Sequence, residues 1–495
     1  MFSKHDAKGL NVTEIPGEHS LGNDDEKSTV PAKYRGTDAD KDDMVVLGRV
    51  QVLRRNFNFP TMLGFASTVL VAWEILPVIS VYALEDGGTA IIFWGLIAGI
   101  IGMTFVYASL AEMASMFPTA GGQYHWVSEL APPRMQKGLS YVVGWLTMMG
   151  WQVYLAGICF MVGSCIQGLI VLNNLDTYVF QAWHGTLLTI AVILFVSLFN
   201  TLLAARLPLI EGVLLILHMA GLFAIIIPLW VMAPRGNVRD TLFTFTTTGG
   251  WPNLGLASMI GMVNPIGVLV GEEVKDAGIV LPRALIWSVV PNGIMALIMG
   301  ATFVFCIGDI DEVLASPTSF ARDGGVPFSS WLSHVSPGWN IPIRAVFVSV
   351  VISTLLSFIN IGSYVALNAI NSLGVVSLLV SYTVTITCLV WRRLAGAPLP
   401  PRKWSLGRFG LAVNLIALAF VLPVLFFAFW PLAKDVTAYV ILSSFEVQSA
   451  DLGCSAGFNW SSVMFVSILL IALMYYIFRA RHVYVGPVML VKRDL

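Results

Sequence analysis

The feature that most limits what this chain can become is a series of apolar runs, most of them about twenty residues long, separated by polar links. A bilayer core about 30 Å thick takes roughly 20 residues of helix to cross. In lipid a backbone must satisfy its own polar groups, so runs of this length read as helices. By window reading they fall at 61–84, 90–110, 139–170, 184–204, 208–232, 254–271, 284–308, 344–362, 364–391, 409–430 and 460–478, eleven in all. Only 12% of the residues are charged and 57% are hydrophobic, against about a quarter charged in soluble domains. The expectation is an all-α membrane protein. A net charge of -1 offers nothing to a nucleic acid. Five cysteines are too few for a secreted disulfide framework; Cys159, Cys165, Cys306 and Cys388 lie in or beside apolar runs and read as small hydrophobes, while Cys454 sits in a loop.

Residues 1–57 are rich in Asp, Glu, Lys, Gly and Asn and cannot bury enough apolar surface to fold, so a disordered cytoplasmic tail is expected there. No cleavable leader is read in them, which leaves the first apolar run to act as the insertion signal. Residues 58–480 form the expected polytopic domain and 481–495 a cytoplasmic C-terminal tail.

Lysine and arginine in short loops stay in the cytoplasm. Arg49, Arg54 and Arg55 therefore put the N-terminus inside, and base-free "EDGG" (85–88) goes outside. Arg134 and Lys137 lie inside, "LNNLDTY" (172–178) outside, and Arg206 inside. The loop 233–253 is expected outside although it carries Arg235 and Arg239, and Lys275 and Arg283 bring the chain back in. Arg392, Arg393, Arg402, Lys403 and Arg408 hold one loop inside; Arg479, Arg481, Lys492 and Arg493 hold the C-terminus there too. Two inside termini require an even number of crossings, and eleven is odd. Counting forward puts Asp309 outside; counting backward puts Arg344 inside. The two counts collide within 309–343, where no run is long enough to cross.

Several stretches carry a likeness: "AEMASMFPTAGGQYHWVSELAP" (111–132), "LSYVVGWLTMMGWQ" (139–152), "EEVKDAGIVLPRA" (272–284), "FARDGGVPF" (320–328) and "RHVYVGPV" (481–488). Over about residues 50–490 the chain resembles the fungal amino acid/choline permeases of the amino acid–polyamine–organocation superfamily. The resemblance implies twelve helices, the first ten in two inverted repeats of five. It also implies a substrate held near the midplane between the first and sixth helices, both broken there, where free backbone groups and half-helix ends face the ligand. The chain departs from the pattern in three places. "DEVLASPT" runs straight into "SFARDGGVPF", so the eighth helix is missing, which accounts for the parity failure. The sixth helix jumps from Gly271 to Glu272 with fewer residues than the family has, and 438–458 reads as an insertion. Mispredicted introns would leave such a pattern.

Glu74 in "LVAWEILP" is the only ionisable residue deep in the first span. A carboxylate there costs about 2.5–3.5 kcal/mol on insertion scales, which favours a binding role over a packing one. Pro77 can break the helix and free carbonyls, and Trp73 can face an amine by cation–π attraction or simply meet lipid. In "GMVNPIG" (261–267), Asn264, Pro265 and Gly267 mark either a discontinuous helix or a kink. Trp151 and Gln152 offer an aromatic face and an amide to a cavity, or pack in the core. Glu211 and His218 lie on one face of the fifth span and could relay protons, although Glu211 is near the solvated end. Asn360, Asn368 and Asn371 are assigned to bonds between helices. "PTAGGQY" (118–124) reads as a tight re-entry with Gly121 and Gly122 at positive φ. "NWS" (459–461) matches a glycosylation acceptor but abuts a span.

The expected function is alternating-access transport of a small amine (an amino acid, choline or γ-aminobutyrate), with proton coupling by family analogy and a plasma-membrane location. The binding set is Trp73, Glu74, Trp151, Gln152, Asn264, Pro265 and Gly267. The expected partners are the amine, the bilayer and a proton, with no cofactor, metal or nucleic acid and no catalytic chemistry. HExxH and P-loop patterns are missing. The rivals are a degenerate, non-transporting paralogue or sensor, and a channel, which is disfavoured because no ring of charges is visible.

Overall fold

Every apolar run that the structure describes is helical, as satisfaction of the backbone in lipid demands. The computed structural model describes residues 64, 67–117, 121–174, 177–179, 181–203, 206–270, 280–307, 343–362, 364–430, 461–481 and 484. These belong to one unit, Asn56–Leu495. The collision zone 309–343 but for its last residue, the residues around Glu272, the 438–458 insertion, both tails beyond Arg481 and Tyr484, and the side chains of Asn360, Asn368 and Asn371 lie outside the described residues.

In chain order the helices are α1 (Ala72–Glu85), α2 (Gly88–Met116), α3 (Gly122–Leu130), α4 (Gln136–Asn173), α5 (Ala182–Leu202), α6 (Leu207–Met232), α7 (Val238–Phe243), α8 (Leu254–Gly261), α9 (Val263–Gly267), α10 (Val280–Cys306), α11 (Ile343–Gly362), α12 (Tyr364–Leu394), α13 (Gly410–Ala428) and α14 (Ser461–Tyr475). Among the described residues eight helices are long and apolar enough to cross a membrane, and three shorter apolar stretches, Ser67–Val81, Leu254–Gly267 and Val346–Phe358, fall in other predicted runs. No strand occurs among them beyond one isolated bridge, Asp86 to Thr247.

The layering follows from which helices are apolar all round. α12 is the most enclosed span, with 72% of its apolar window buried, whereas α14 has only 6% buried and forms part of the rim. Rim side chains such as Leu172 (68% exposed), Phe195 (66%) and Val231 (79%) present an outer surface that suits lipid and not water. Inside, α2 runs along α10, and α5 along α11; in the family's count these are the second with the seventh and the fourth with the ninth, pairs that an inverted repeat exchanges. α4 and α12 approach closely at Gly150 and Gly374: a Cβ on Gly374 would sit 3.2 Å from Val153 and 3.7 Å from the Gly150 carbonyl. Small residues permit such backbone contact in membranes.

The first and sixth spans are the irregular ones. Residues 67–70 are helical, Val71 is not, and α1 starts at Ala72. Val71 has φ +44°, and no other non-glycine residue among those described has positive φ. A β-branched residue there is strained by about 1–3 kcal/mol. The break therefore precedes Pro77, which lies inside α1 instead of ending a helix; its missing N–H leaves the Trp73 carbonyl without a helical donor. In the sixth span Met262 interrupts the helix, and the chain leaves helical form in a turn in which Leu269 N–H and Val270 N–H donate to the Ile266 and Gly267 carbonyls (3.0 and 3.1 Å). The stretch 254–267 rises about 21 Å, short of a crossing.

Two loops expected outside gather at one end. Thr248 and Gly249 donate through their N–H groups to the Glu85 carbonyl (3.0 and 3.2 Å), and Gly87 N–H donates to that of Thr246 (2.9 Å). Thr89 and Trp94 donate to the Thr241 and Leu242 carbonyls (both 2.8 Å). The arginine-bearing loop 233–253 thus shares an end with "EDGG", despite its charge. Asp86 is fully buried in this knot. Neither of its carboxylate oxygens is hydrogen-bonded; the Trp251 indole N–H faces them and favours the charged form only in part. Burial, and then the charge of Glu85, raise its pKa to about 7. The folded state then holds a proton that the unfolded chain gives up near pH 4, so stability should decline as pH rises from about 4 to about 7 and stay low above. Asp86→Asn is expected to flatten that decline, as followed by melting temperature against pH in detergent; an unchanged slope would assign the pH dependence to another group.

At the opposite end Gly122 (φ +50°) opens α3 as expected, while Gly121 has an ordinary negative φ of -82°. Trp126 Nε1 donates to the Phe117 carbonyl (3.0 Å), closing the re-entry. Here too lies Glu112, with no exposure, accepting from Arg393 and from Arg402 Nε (3.1 Å).

Candidate functional site

A cavity of about 120 Å³ lies among α1, α4, the α8–α9 stretch and α12. Ile75 and Ile79 line it from α1, Val153, Tyr154, Ile158 and Met161 from α4, Val263, Asn264, Gly267 and Val268 from the sixth span, and Ser372, Gly374 and Val375 from α12. The lining is mostly aliphatic, with the Asn264 amide, the Tyr154 phenol and the Ser372 hydroxyl as its polar side chains. The broken first span supplies one wall and the end of the shortened sixth span another. This follows from the sequence locally: Asn264 and Gly267 are three residues apart and so share a helix face, and the turn at 268–270 ends that face at the cavity.

The predicted residues part company here. Asn264 and Gly267 line the cavity. Pro265 does not; it is docked on α2, where a Cβ on Gly95 would come within 2.8 Å of its ring. Trp151 packs on the main core and meets Tyr154 edge-on at 5.4 Å, so its neighbour, not itself, reaches the cavity. Gln152 turns to α11 and donates to Ser349 Oγ (2.9 Å).

Trp73 and Glu74 face the other way, toward α6 and α10. Trp73 packs with Leu222, Ile226, Met295 and Met299, and its indole N–H donates to His218 Nδ1 (3.2 Å). Glu74 Oε1 lies 2.5 Å from the same nitrogen. His218 Nε2 meets Asn292 Oδ1 (3.0 Å), and Asn292 Nδ2 donates to the Ser288 carbonyl (2.8 Å). The other Glu74 oxygen, Oε2, is buried without a partner. The structure thus separates an apolar cavity on one side of α1 from an ionisable cluster on the other. The Glu211–His218 pairing does not form: Glu211 accepts instead from Thr68 Oγ1 (2.9 Å), beside the Val71 break. Val71, Asn292 and Tyr154 were missed in the sequence. Only Asn292, a polar residue next to Pro291 inside an apolar span, carried any signal.

A lipid-facing helical bundle with an interrupted first span beside an internal cavity is the framework of a membrane carrier. Known relatives narrow the class. The amino acid permease family matches residues 57–319 and 313–445, in two pieces that overlap at 313–319. The chain belongs to that family, whose members are carriers and not enzymes. It is 22% identical to amino-acid permease 2 of Neurospora crassa, over 97% of this chain and 94% of that one. It is 26% identical to a choline transporter of Saccharomyces cerevisiae, over 78% of each chain. With the amino-acid permease BAT1 of Arabidopsis thaliana it shares 25% identity, over 89% and 95%.

Proposed function

We propose that this permease carries a small amine (an amino acid, choline or γ-aminobutyrate) across the plasma membrane by alternating access, with a proton as the coupling ion. One observation carries the reading: the cavity lies between α1, from one turn beyond the interruption at Val71, and the end of the described part of the sixth span. Its size suits such a ligand. A cavity of 150 Å³ admits benzene, so about 120 Å³ matches roughly five to seven heavy atoms. The sixth span meets it at its C-terminal end, where a helix carries partial negative charge, which favours an ammonium group. The strained Val71 gives the first span a hinge beside the cavity. The relatives named above include amino-acid permeases and a choline transporter, which supports the same substrate range.

Uptake of labelled γ-aminobutyrate, choline and amino acids into cells lacking their own permeases tests this. Saturable uptake of one of them is expected; uptake of none would favour the degenerate, non-transporting alternative. Gly267→Val places the wall in the cavity: an added Cβ meets nothing closer than Val375 at 3.9 Å, so the fold should accept it while the ligand is displaced. Overpacking of this kind costs about 1–3 kcal/mol, and uptake should fall about 10- to 100-fold. Wild-type uptake by Gly267→Val would remove the cavity from the transport path.

A further inference from the structure

We infer that Glu74 and His218 together form a binding site for one proton, separate from the substrate cavity. Its role as the coupling site deepens the carrier reading above and rests on it; the chemistry of the site does not.

The argument begins at Asn292. Its Nδ2 donates to the Ser288 carbonyl, which can only accept, so Oδ1 is the atom turned to the imidazole. A carboxamide oxygen accepts, and His218 Nε2 must therefore carry hydrogen. With Nε2 protonated, a neutral His218 has a bare lone pair at Nδ1. An ionised Glu74 has only lone pairs as well. Two acceptors cannot rest 2.5 Å apart. The contact exists only if one proton lies between them, either as carboxyl O–H to imidazole N or as imidazolium N–H to carboxylate. Both descriptions contain one proton more than an ionised Glu74 beside a neutral imidazole. In both, the pair has no net charge, the state that burial favours.

A second donor competes for the same nitrogen. Trp73 Nε1–H points at Nδ1 from 3.2 Å. When the extra proton leaves, the lone pair of Nδ1 becomes free for the indole, and carboxylate and imidazole repel one another. The proton and Trp73 are alternatives at one atom. Trp73 lies two residues beyond the strained Val71, so exchange of one partner for the other acts on the first span at its hinge. The loaded pair ties α1 to α6 through Glu74 as well as Trp73; the unloaded pair keeps the indole bond and the bond to Asn292 but loses the Glu74 contact.

The other charged and titratable groups on the elements packed against the pair lie elsewhere or are engaged by other partners. On α1 the remaining acid is Glu85, at the outer end. On α6 Glu211 is engaged by Thr68. On α10 the Cys306 thiol faces the Leu229 carbonyl (3.7 Å), and the side chain of Arg283 lies outside the described residues. On α2 Glu112 is paired with Arg393 and Arg402, and Tyr107 donates to the Leu269 carbonyl. α8 and α9 contain no charged residue.

The test is pH-difference infrared spectroscopy of the full chain reconstituted in lipid vesicles. In the wild type, carboxyl and imidazole bands should change together at one midpoint, as for coupled groups. Glu74→Gln and His218→Gln should each remove the joint change; Glu211→Gln should leave it. Trp73→Phe deletes the competing donor, so the proton should bind about five-fold tighter, the equivalent of one hydrogen bond. This last variant keeps both ionisable groups and answers even where Glu74→Gln does not fold. Joint bands that survive Glu74→Gln, or a midpoint unmoved in Trp73→Phe, would overturn the site. Vesicles that take up no labelled γ-aminobutyrate, choline or amino acid but keep the Glu74-dependent bands would uphold the proton site and overturn the carrier reading alone.

Discussion

Glu112→Ala is expected to strip the membrane of folded protein. The Glu112 side chain has no exposure and accepts from Arg393 Nη2 through one oxygen. The other oxygen takes Arg402 Nε (3.1 Å), Ser405 Oγ (3.2 Å) and Leu406 N–H (3.3 Å). It fastens the loop after α12 to α2, at the end where arginines crowd. Truncation would leave Arg393 and Arg402, whose side chains are only 13% and 22% exposed, without their acceptor. Removing one partner of a buried pair costs about 3–5 kcal/mol, because the charge left behind stays desolvated. A domain with about 5–15 kcal/mol of total stability loses much of it. Glu112→Gln keeps an acceptor and should lose less. Thermal melting of detergent extracts by fluorescence-detected size exclusion would rank wild type above Gln above Ala. An alanine variant that melts with the wild type would mean that water already satisfies these arginines.

Gly261→Ala should act at the opposite end with similar force. A Cβ on Gly261 would lie 1.6 Å from the Asp86 carbonyl oxygen and 2.8 Å from its carbon. Those are backbone atoms, held by the bonds between 85–87 and 246–249, and no rotamer change relieves them. Either α8 shifts away from the loop or the lacing parts. We expect a loss of about 3 kcal/mol, the upper end for overpacking, and no rescue by Asp86→Asn, since the clash does not involve that side chain. Gly267→Ala is the control: its Cβ would meet only Val375, at an ordinary contact distance of 3.9 Å, so its melting point should stay near the wild type's. Equal melting of the two variants would contradict the close approach at Asp86.

The reading of helices from apolar run length succeeded because the rule is local: a backbone in lipid has few ways to satisfy itself, and about twenty residues either suffice or do not. Alternation of crossings, counted from the charge-assigned loops, placed 85–88 and 233–253 at one end, although Arg235 and Arg239 argued against it. Prolines were a poorer guide. Pro77 can bend a helix but does not determine where it breaks; Val71 breaks instead, and nothing in a valine advertises positive φ. Pro265 marked the right segment, yet its ring serves contact with Gly95 while Asn264 and Gly267 turn to the cavity.

By itself the sequence determined the all-helical membrane class and singled out Glu74, because each follows from a residue's own transfer cost or from run length along the chain. Only the tertiary structure decided that Glu74 meets His218 and not the cavity, that His218 meets Asn292 and not Glu211, and that Glu112 holds the arginine cluster. Helical periodicity states which residues share a face. Which neighbour that face meets depends on how distant helices pack, and spacing within one segment does not contain that information.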